Sequence, residues 1–193
     1  MIRNLSTVAD AFTSNVFLCE TGRAVLVDAG SNFDVVAAVR ERVDALDAVV
    51  LTHTHPDHVG NVAALREAFD VETWGYDPES EYVDNAVADG ETVRIGERDY
   101  EALYTPGHAV DHLVFHSPDA GAAFVGDLVF ENGAYGRTDF EGGDQATLVE
   151  SVERLLGALS ADDDVLYPGH GPAIRDPVEA VEASLRAAKF ASP

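Results

Sequence analysis

Positive charge is scarce in this chain. Against 35 aspartates and glutamates stand 12 lysines and arginines, for a formal net charge of −23 over 193 residues. Lys189 is the single lysine, so the other basic residues are arginines. No basic patch interrupts the acidity, which disfavours a nucleic-acid backbone as partner. A surface this acidic repels itself unless salt screens it, and with so little lysine the composition reads as halophilic. Cysteine is nearly absent too. Cys19 alone permits no internal disulfide and gives no sign of an oxidising compartment; in its strand-like run it reads as a small packed hydrophobe. No apolar stretch is long enough to span a bilayer, and residues 1–6 lack the apolar core of a secretory signal. The expectation is a cytoplasmic protein with no membrane association. Nothing in the sequence sets an oligomeric state.

What is present is an ordinary apolar fraction, 46%, enough for a substantial core in one domain over residues 1–193. Apolar runs at 16–20 and 24–28 read as strands around a Thr-Gly-Arg turn. Val35, Val36, Val39 and Val43 fall at helical spacing. Residues 48–51 form a continuous apolar strand, and 61–69 read as a helix. Strand patterns recur at 71–74, 93–95, 100–103, 113–116, 122–125 and 165–167. Between the first two of these, residues 77–90 read as an acidic surface excursion. Residues 145–159 carry Leu148, Val152, Leu155, Leu156 and Leu159 on one helical stripe, and a last helix is expected over 178–188.

Directly after the strand at 48–51 comes H-x-H-x-D-H at residues 53–58. Three imidazoles and a carboxylate this close would repel one another if protonated and would be costly to bury unpaired; a divalent cation, or two, removes both costs. In extended backbone His53 and His55 point the same way and can chelate one cation, while Asp57 and His58 turn away toward a second. Imidazole with carboxylate suits zinc, iron or manganese rather than calcium or magnesium. The pattern repeats in looser form. Asp127 and His170 each follow a short apolar strand, and His108 follows a strand-like segment, so several strand ends can converge on one site.

The ordered set H-x-H-x-D-H, P-G-H at 106–108, G-D at 126–127 and P-G-H at 168–170 resembles the metallo-β-lactamase superfamily over essentially the whole chain. That resemblance implies an α/β fold, a four-layer αβ/βα sandwich of two mixed β-sheets flanked by helices. It implies two divalent metal ions, zinc first, with iron or manganese also compatible. His53, His55 and His108 would hold one metal; Asp57, His58 and His170 the other; Asp127 would bridge them. Asp57, His58 and Asp127 would shape the reacting centre around a metal-bridging hydroxide, as members of the superfamily commonly do. Asp28 would orient the metal loop.

Within the superfamily, residues 126–130 and 136–140 (G-R-T-D-F) are similar to the short glyoxalase II-like, hydroxyacylglutathione hydrolase-like thioesterases. They are also similar to the persulfide dioxygenases, which use a single iron. The expected activity is hydrolysis of a small 2-hydroxyacyl thioester, with Arg137 on a carboxylate of the thiol carrier and Tyr135 beside it. The alternative is mononuclear-iron persulfide dioxygenation; a lactonase or β-lactamase-like hydrolase ranks below both. Two departures point away from glutathione itself as the thiol. Full-length glyoxalase II has an added helical domain that helps grip glutathione, whereas this sequence runs 23 residues past His170, and Ala109 stands where a polar residue is expected. His112 and His116 read as supporting or surface groups, since the other positions fill two sites.

Overall fold

Short β-branched and apolar runs, punctuated by glycine and acidic turns, pair into two sheets. The computed structural model describes residues 1–159 and 165–191. The first sheet runs in chain order: β1 (Ile2–Asn4), β2 (Phe17–Cys19), β3 (Val25–Val27), β4 (Ala48–Val50), β5 (Thr73–Gly75) and β6 (Asn85–Ala86). Its β1–β2 and β2–β3 pairs are antiparallel; the pairs from β3 to β6 are parallel. The second sheet contains β7 (Thr92–Ile95), β8 (Arg98–Tyr104), β9 (Leu113–Ser117), β10 (Ala122–Gly126) and β11 (Val165–Pro168), ordered β11-β10-β9-β8-β7. Only its β10–β11 pair is parallel.

Period-two alternation assigns each side chain to a layer. Val25, Val27 and Val50 meet Phe115 and Phe124 between the sheets. Leu26, Val49 and Leu51 face outward, under α1 (Val35–Arg40) and α3 (Val62–Phe69). Val114, Ala123 and Val125 face the other way, under α4 (Gln145–Ala158) and α5 (Pro177–Phe190). The result is the four-layer αβ/βα sandwich expected from the sequence, with two mixed sheets inside and helices outside. Phe115 and Phe124 are fully buried, each contributing about 1.5–3 kcal/mol by leaving water.

Helix starts follow their caps. Asp144 accepts from the Thr147 amide at 2.7 Å to begin α4, and Asp34 accepts from Ala37 at 2.9 Å to begin α1. Helix α1 ends at Arg40, so Val43 lies beyond it yet still packs on the same core. The expected excursion at 77–90 contains the edge strand β6, and the extreme N-terminus contributes β1. Neither has a run of apolar residues long enough to stand out as a strand. No helix among the described residues is long and apolar enough to cross a membrane.

Candidate metal centre

The ends of β4, β8, β10 and β11 open onto one edge of the sandwich, and each delivers ligand-type side chains there. After β4 the backbone stays extended through His55, which is the N-cap of a single helical turn, α2 (Pro56–Val59). Proline at the first helical position fits, because its missing N–H would have no partner there. That switch from extended to helical backbone separates His53 and His55 from Asp57 and His58, the divergence expected from the sequence. The helical turn itself was hidden, because four residues leave no periodicity to read.

Ligand atoms of His53, His55 and His108 all lie within 4.8 Å of one another, and the same holds for Asp57, His58 and His170. Asp127 stands between the two sets. Its carboxylate oxygens are 3.4 Å from His58 Nε2, 3.6 Å from His108 Nε2 and 3.5 Å from His170 Nε2. All seven side chains singled out in the sequence therefore meet at one place.

Hydrogen bonds behind the ligands aim them. His108 donates Nδ1–H to the Arg137 carbonyl at 2.7 Å, which leaves Nε2 as a lone pair facing the site. Thr52 donates its hydroxyl to Asp28 and stands 3.1 Å from His53 Nδ1. His53 then donates from Nδ1, and its Nε2 turns to the site side, 3.1 Å from His55 Nδ1. Asp28 does most of this work. It accepts from the Thr52 amide at 2.8 Å and faces His58 Nδ1 at 2.9 Å, from a left-handed backbone with φ of 60°. Asparagine and aspartate tolerate that region better than most residues.

The electrostatics follow from burial and neighbours. Burial works against the charged form of His58, but the Asp28 and Asp127 carboxylates outweigh it and push its pKa up to about 10. Burial would raise Asp127, yet the His58 imidazole 3.4 Å away and the imidazoles of His170 and His108 hold it far below the usual carboxylate range. His53 is pushed well below its ordinary value by burial, reinforced by the neighbouring imidazoles.

The donor set passes a direct test of fit for cations. Buried His58 Nε2, His108 Nε2 and Asp127 Oδ1 have no hydrogen-bond partner. Leaving such atoms unsatisfied costs about 1–3 kcal/mol each, more when charged. Three of them facing one small space suit a bound divalent cation. Gly169 keeps that space open, since a Cβ there would collide with Asp127 Oδ1 and His58 Cε1.

Several contributors were not legible in the sequence. His112, read there as supporting or surface, is fully buried. It accepts the Asp127 amide on Nε2 at 3.1 Å and pairs Nδ1 with the Thr105 hydroxyl at 2.9 Å, so it steadies the residue between the two sets. His116 is also buried, in β9. Thr54 donates to the buried Asp111 at 2.6 Å, tying the middle of the motif to the loop after His108. Thr54 and Asp111 lie 57 positions apart, so nothing local in the sequence marks them as partners.

A cleft of about 620 Å³ opens over the ligands, lined also by Phe12, Phe130, Tyr135, Arg137 and Phe140. Arg137 reaches it with its planar fork already engaged. Nε and Nη2 bond the two Asp139 oxygens at 2.9 and 2.7 Å, and the guanidinium lies 4.6 Å from the Phe140 ring centre.

Comparison with known proteins agrees with this geometry. A family profile described as the metallo-beta-lactamase superfamily matches residues 9–170. A hydroxyacylglutathione hydrolase from Cereibacter sphaeroides is 38% identical over 166 residues, covering 84% of this chain but 63% of that protein. The chain thus spans less than two thirds of that relative's length. The hydroxyacylglutathione hydrolase GloC of Haemophilus influenzae is 30% identical over 186 residues, covering 83% of this chain and 87% of its own. Among solved structures, TTHA1623 in a di-iron-bound form superposes with a TM-score of 0.75 at 29% identity, covering 93% of this chain and 96% of that one.

Proposed function

This chain belongs to the metallo-β-lactamase superfamily, and from that premise we propose that it hydrolyses small thioesters of the 2-hydroxyacyl type at a two-metal centre. The observation that carries the reading is the placement of Asp127 between two ligand sets, with buried His58 Nε2 in one and His108 Nε2 in the other lacking hydrogen-bond partners. His53, His55 and His108 would hold one divalent cation and Asp57, His58 and His170 a second, with Asp127 shared; zinc suits these donors, and iron and manganese do too. Such a pair, when bound, lowers the pKa of water and polarises a carbonyl.

The chain's own residues do the rest. Asp28 and the Arg137 carbonyl keep His58 and His108 turned inward. Asp57 and Asp127 fix negative charge on the floor of the cleft, which holds cations there and leaves the open side for a departing thiol. No serine or cysteine nucleophile is needed, and Cys19 is buried, with its thiol pushed up to about 12 by that burial. Arg137 and Tyr135 line the cleft and are the proposed substrate contacts. A carboxylate would bind Arg137 by exchanging with Asp139. The acidic surface fits work in concentrated salt inside the cell.

The test is thiol release from S-lactoylglutathione in high salt, with metal content measured on the same sample. Release that is lost in His55→Ala supports the reading. No release from protein carrying two metals per chain overturns glutathione thioester hydrolysis. Oxygen uptake with a persulfide by iron-loaded protein would then favour dioxygenation.

A further inference from the structure

Two exposed phenylalanines flank the ligand sets, one over each. Phe12, 73% exposed, stacks on His170 with ring centres 5.1 Å apart and planes at 17°. Phe140, 43% exposed, sets His55 and His108 against its ring at 5.5 and 6.0 Å. Phe12 comes from the segment before β2 and Phe140 from the loop before α4, so distant parts of the chain bring them to one cleft. Phe130, with its ring centre 6.2 Å from that of His170, adds a third ring to the lining. Large rings left in water around one cavity mark a surface that covers something.

The charges of the same cleft say what that something is not. Apart from the ligands, its charged lining is Glu131 and Arg137, and Arg137 is already paired with Asp139. An anionic group on this rim meets Glu131 and reaches Arg137 only by displacing Asp139. An apolar group meets the rings of Phe12, Phe130 and Phe140.

Resting on the thioester reading above, we propose that the cleft selects 2-hydroxyacyl thioesters whose acyl part carries an aryl or similarly bulky apolar group, gripped between Phe12 and Phe140. In the reaction, water adds its oxygen to the acyl carbon and the C–S bond breaks. The products are the 2-hydroxy acid and the free thiol, with no oxidant or reductant involved. The two rings are specificity determinants; they act on the side group and leave the reacting carbonyl to the centre beneath.

A minimal pair tests this: the mandeloyl and lactoyl thioesters of N-acetylcysteamine, which differ by phenyl for methyl on the same uncharged thiol. Metal-loaded protein in high salt is expected to favour mandeloyl in kcat/KM by about tenfold or more, the scale set by burying a phenyl-sized apolar surface. Phe12→Ala and Phe140→Ala should each cut that preference about fivefold, mainly through KM. Phe190→Ala, an exposed ring outside the cleft, should not change it. Equal use of the two thioesters, or a preference untouched by both substitutions, overturns the proposal. Calorimetry with uncleavable thioethers bearing the same phenyl or methyl side group gives a readout free of turnover. Tighter binding of the phenyl compound that weakens in Phe12→Ala upholds the ring clamp even if no thioester is hydrolysed. In that case only the thioester reading falls. Equal binding of the two thioethers overturns the clamp.

Discussion

The first sheet sends one loop to the metal centre, and that loop carries His53, His55, Asp57 and His58 together. The second sheet sends three loops, each with one ligand: His108 after β8, Asp127 at the end of β10 and His170 after β11. A cluster built within six residues needs only local backbone geometry and one anchor, which Asp28 supplies. Ligands that arrive singly need the whole sandwich to be correct, and each has its own support. His108 hangs from the Arg137 carbonyl, Asp127 from His112, and His170 lies under Phe12. The first contribution should therefore depend on its anchor, the second on the packing of each loop separately.

Asp127 is the exception that breaks this division, because it belongs to the second group yet faces ligands of both sets. On the two-metal reading proposed above, Asp127→Ala should release both metals and lower thiol release by about a thousandfold or more, since each proposed site loses a ligand. His55→Ala should cost one metal and leave the other set intact. Elemental analysis of the two variants after dialysis checks the contrast. Equal metal loss in both would show that the sets are not shared through Asp127.

The dependence of the second group on global packing can be tested one residue from His108. Gly107 has φ of 126°, and a Cβ there would run into the backbone of Leu148 in α4. Gly107→Ala should therefore destabilise the protein by about 2–4 kcal/mol through backbone strain and overlap together. Urea unfolding in high salt measures it, and a loss under 1 kcal/mol would mean that this loop adapts more freely than its packing suggests.

For the first group the corresponding lever is its anchor. Asp28→Asn keeps an acceptor for the Thr52 amide but removes the charge facing His58 Nδ1. Losing such an outer partner should weaken metal binding about 10–100-fold, for the set containing Asp57, His58 and His170 more than for the other. Thr105→Val, whose lost hydroxyl supports His112 and through it Asp127, should have a smaller effect. Competition with a chelator ranks the two.

This asymmetry also governs what could be read in advance. The H-x-H-x-D-H cluster declares itself because its chemistry is implausible as packing, and most strands declare themselves as short apolar runs, buried on both faces and bounded by turns. His108, Asp127 and His170 were readable only as members of an ordered set; alone, each is a polar residue in a loop. The supports were mostly invisible. Thr52, Thr105 and Asp111 are unremarkable by type, and their partners are set by sheet register. Phe12 lies in a segment with no periodicity, so nothing local marks it as part of a cleft. The short α2 and the edge strands β1 and β6 were missed for a related reason, since none of the three carries an apolar run or a repeat that stands out.

The smallest expected effect concerns the rim, where the second half of the chain sets the charge as well as the shape of the cleft. Arg137 is exposed, and its pairing with Asp139 is a surface interaction that water and salt weaken. Asp139→Asn leaves the guanidinium in place above Phe140 but frees its fork for an incoming carboxylate. The preference for lactoylglutathione, which carries carboxylates, over the lactoyl thioester of N-acetylcysteamine should rise by a few-fold, and the gain should shrink as salt increases. If the preference does not move, Arg137 is held away from substrate by its stacking on Phe140 rather than by Asp139. If it rises strongly and resists salt, the Asp139 pair is what makes the natural cleft unfavourable to carboxylates, and the acidic character of this rim determines the thiol carrier as much as the aromatic rings determine the acyl group.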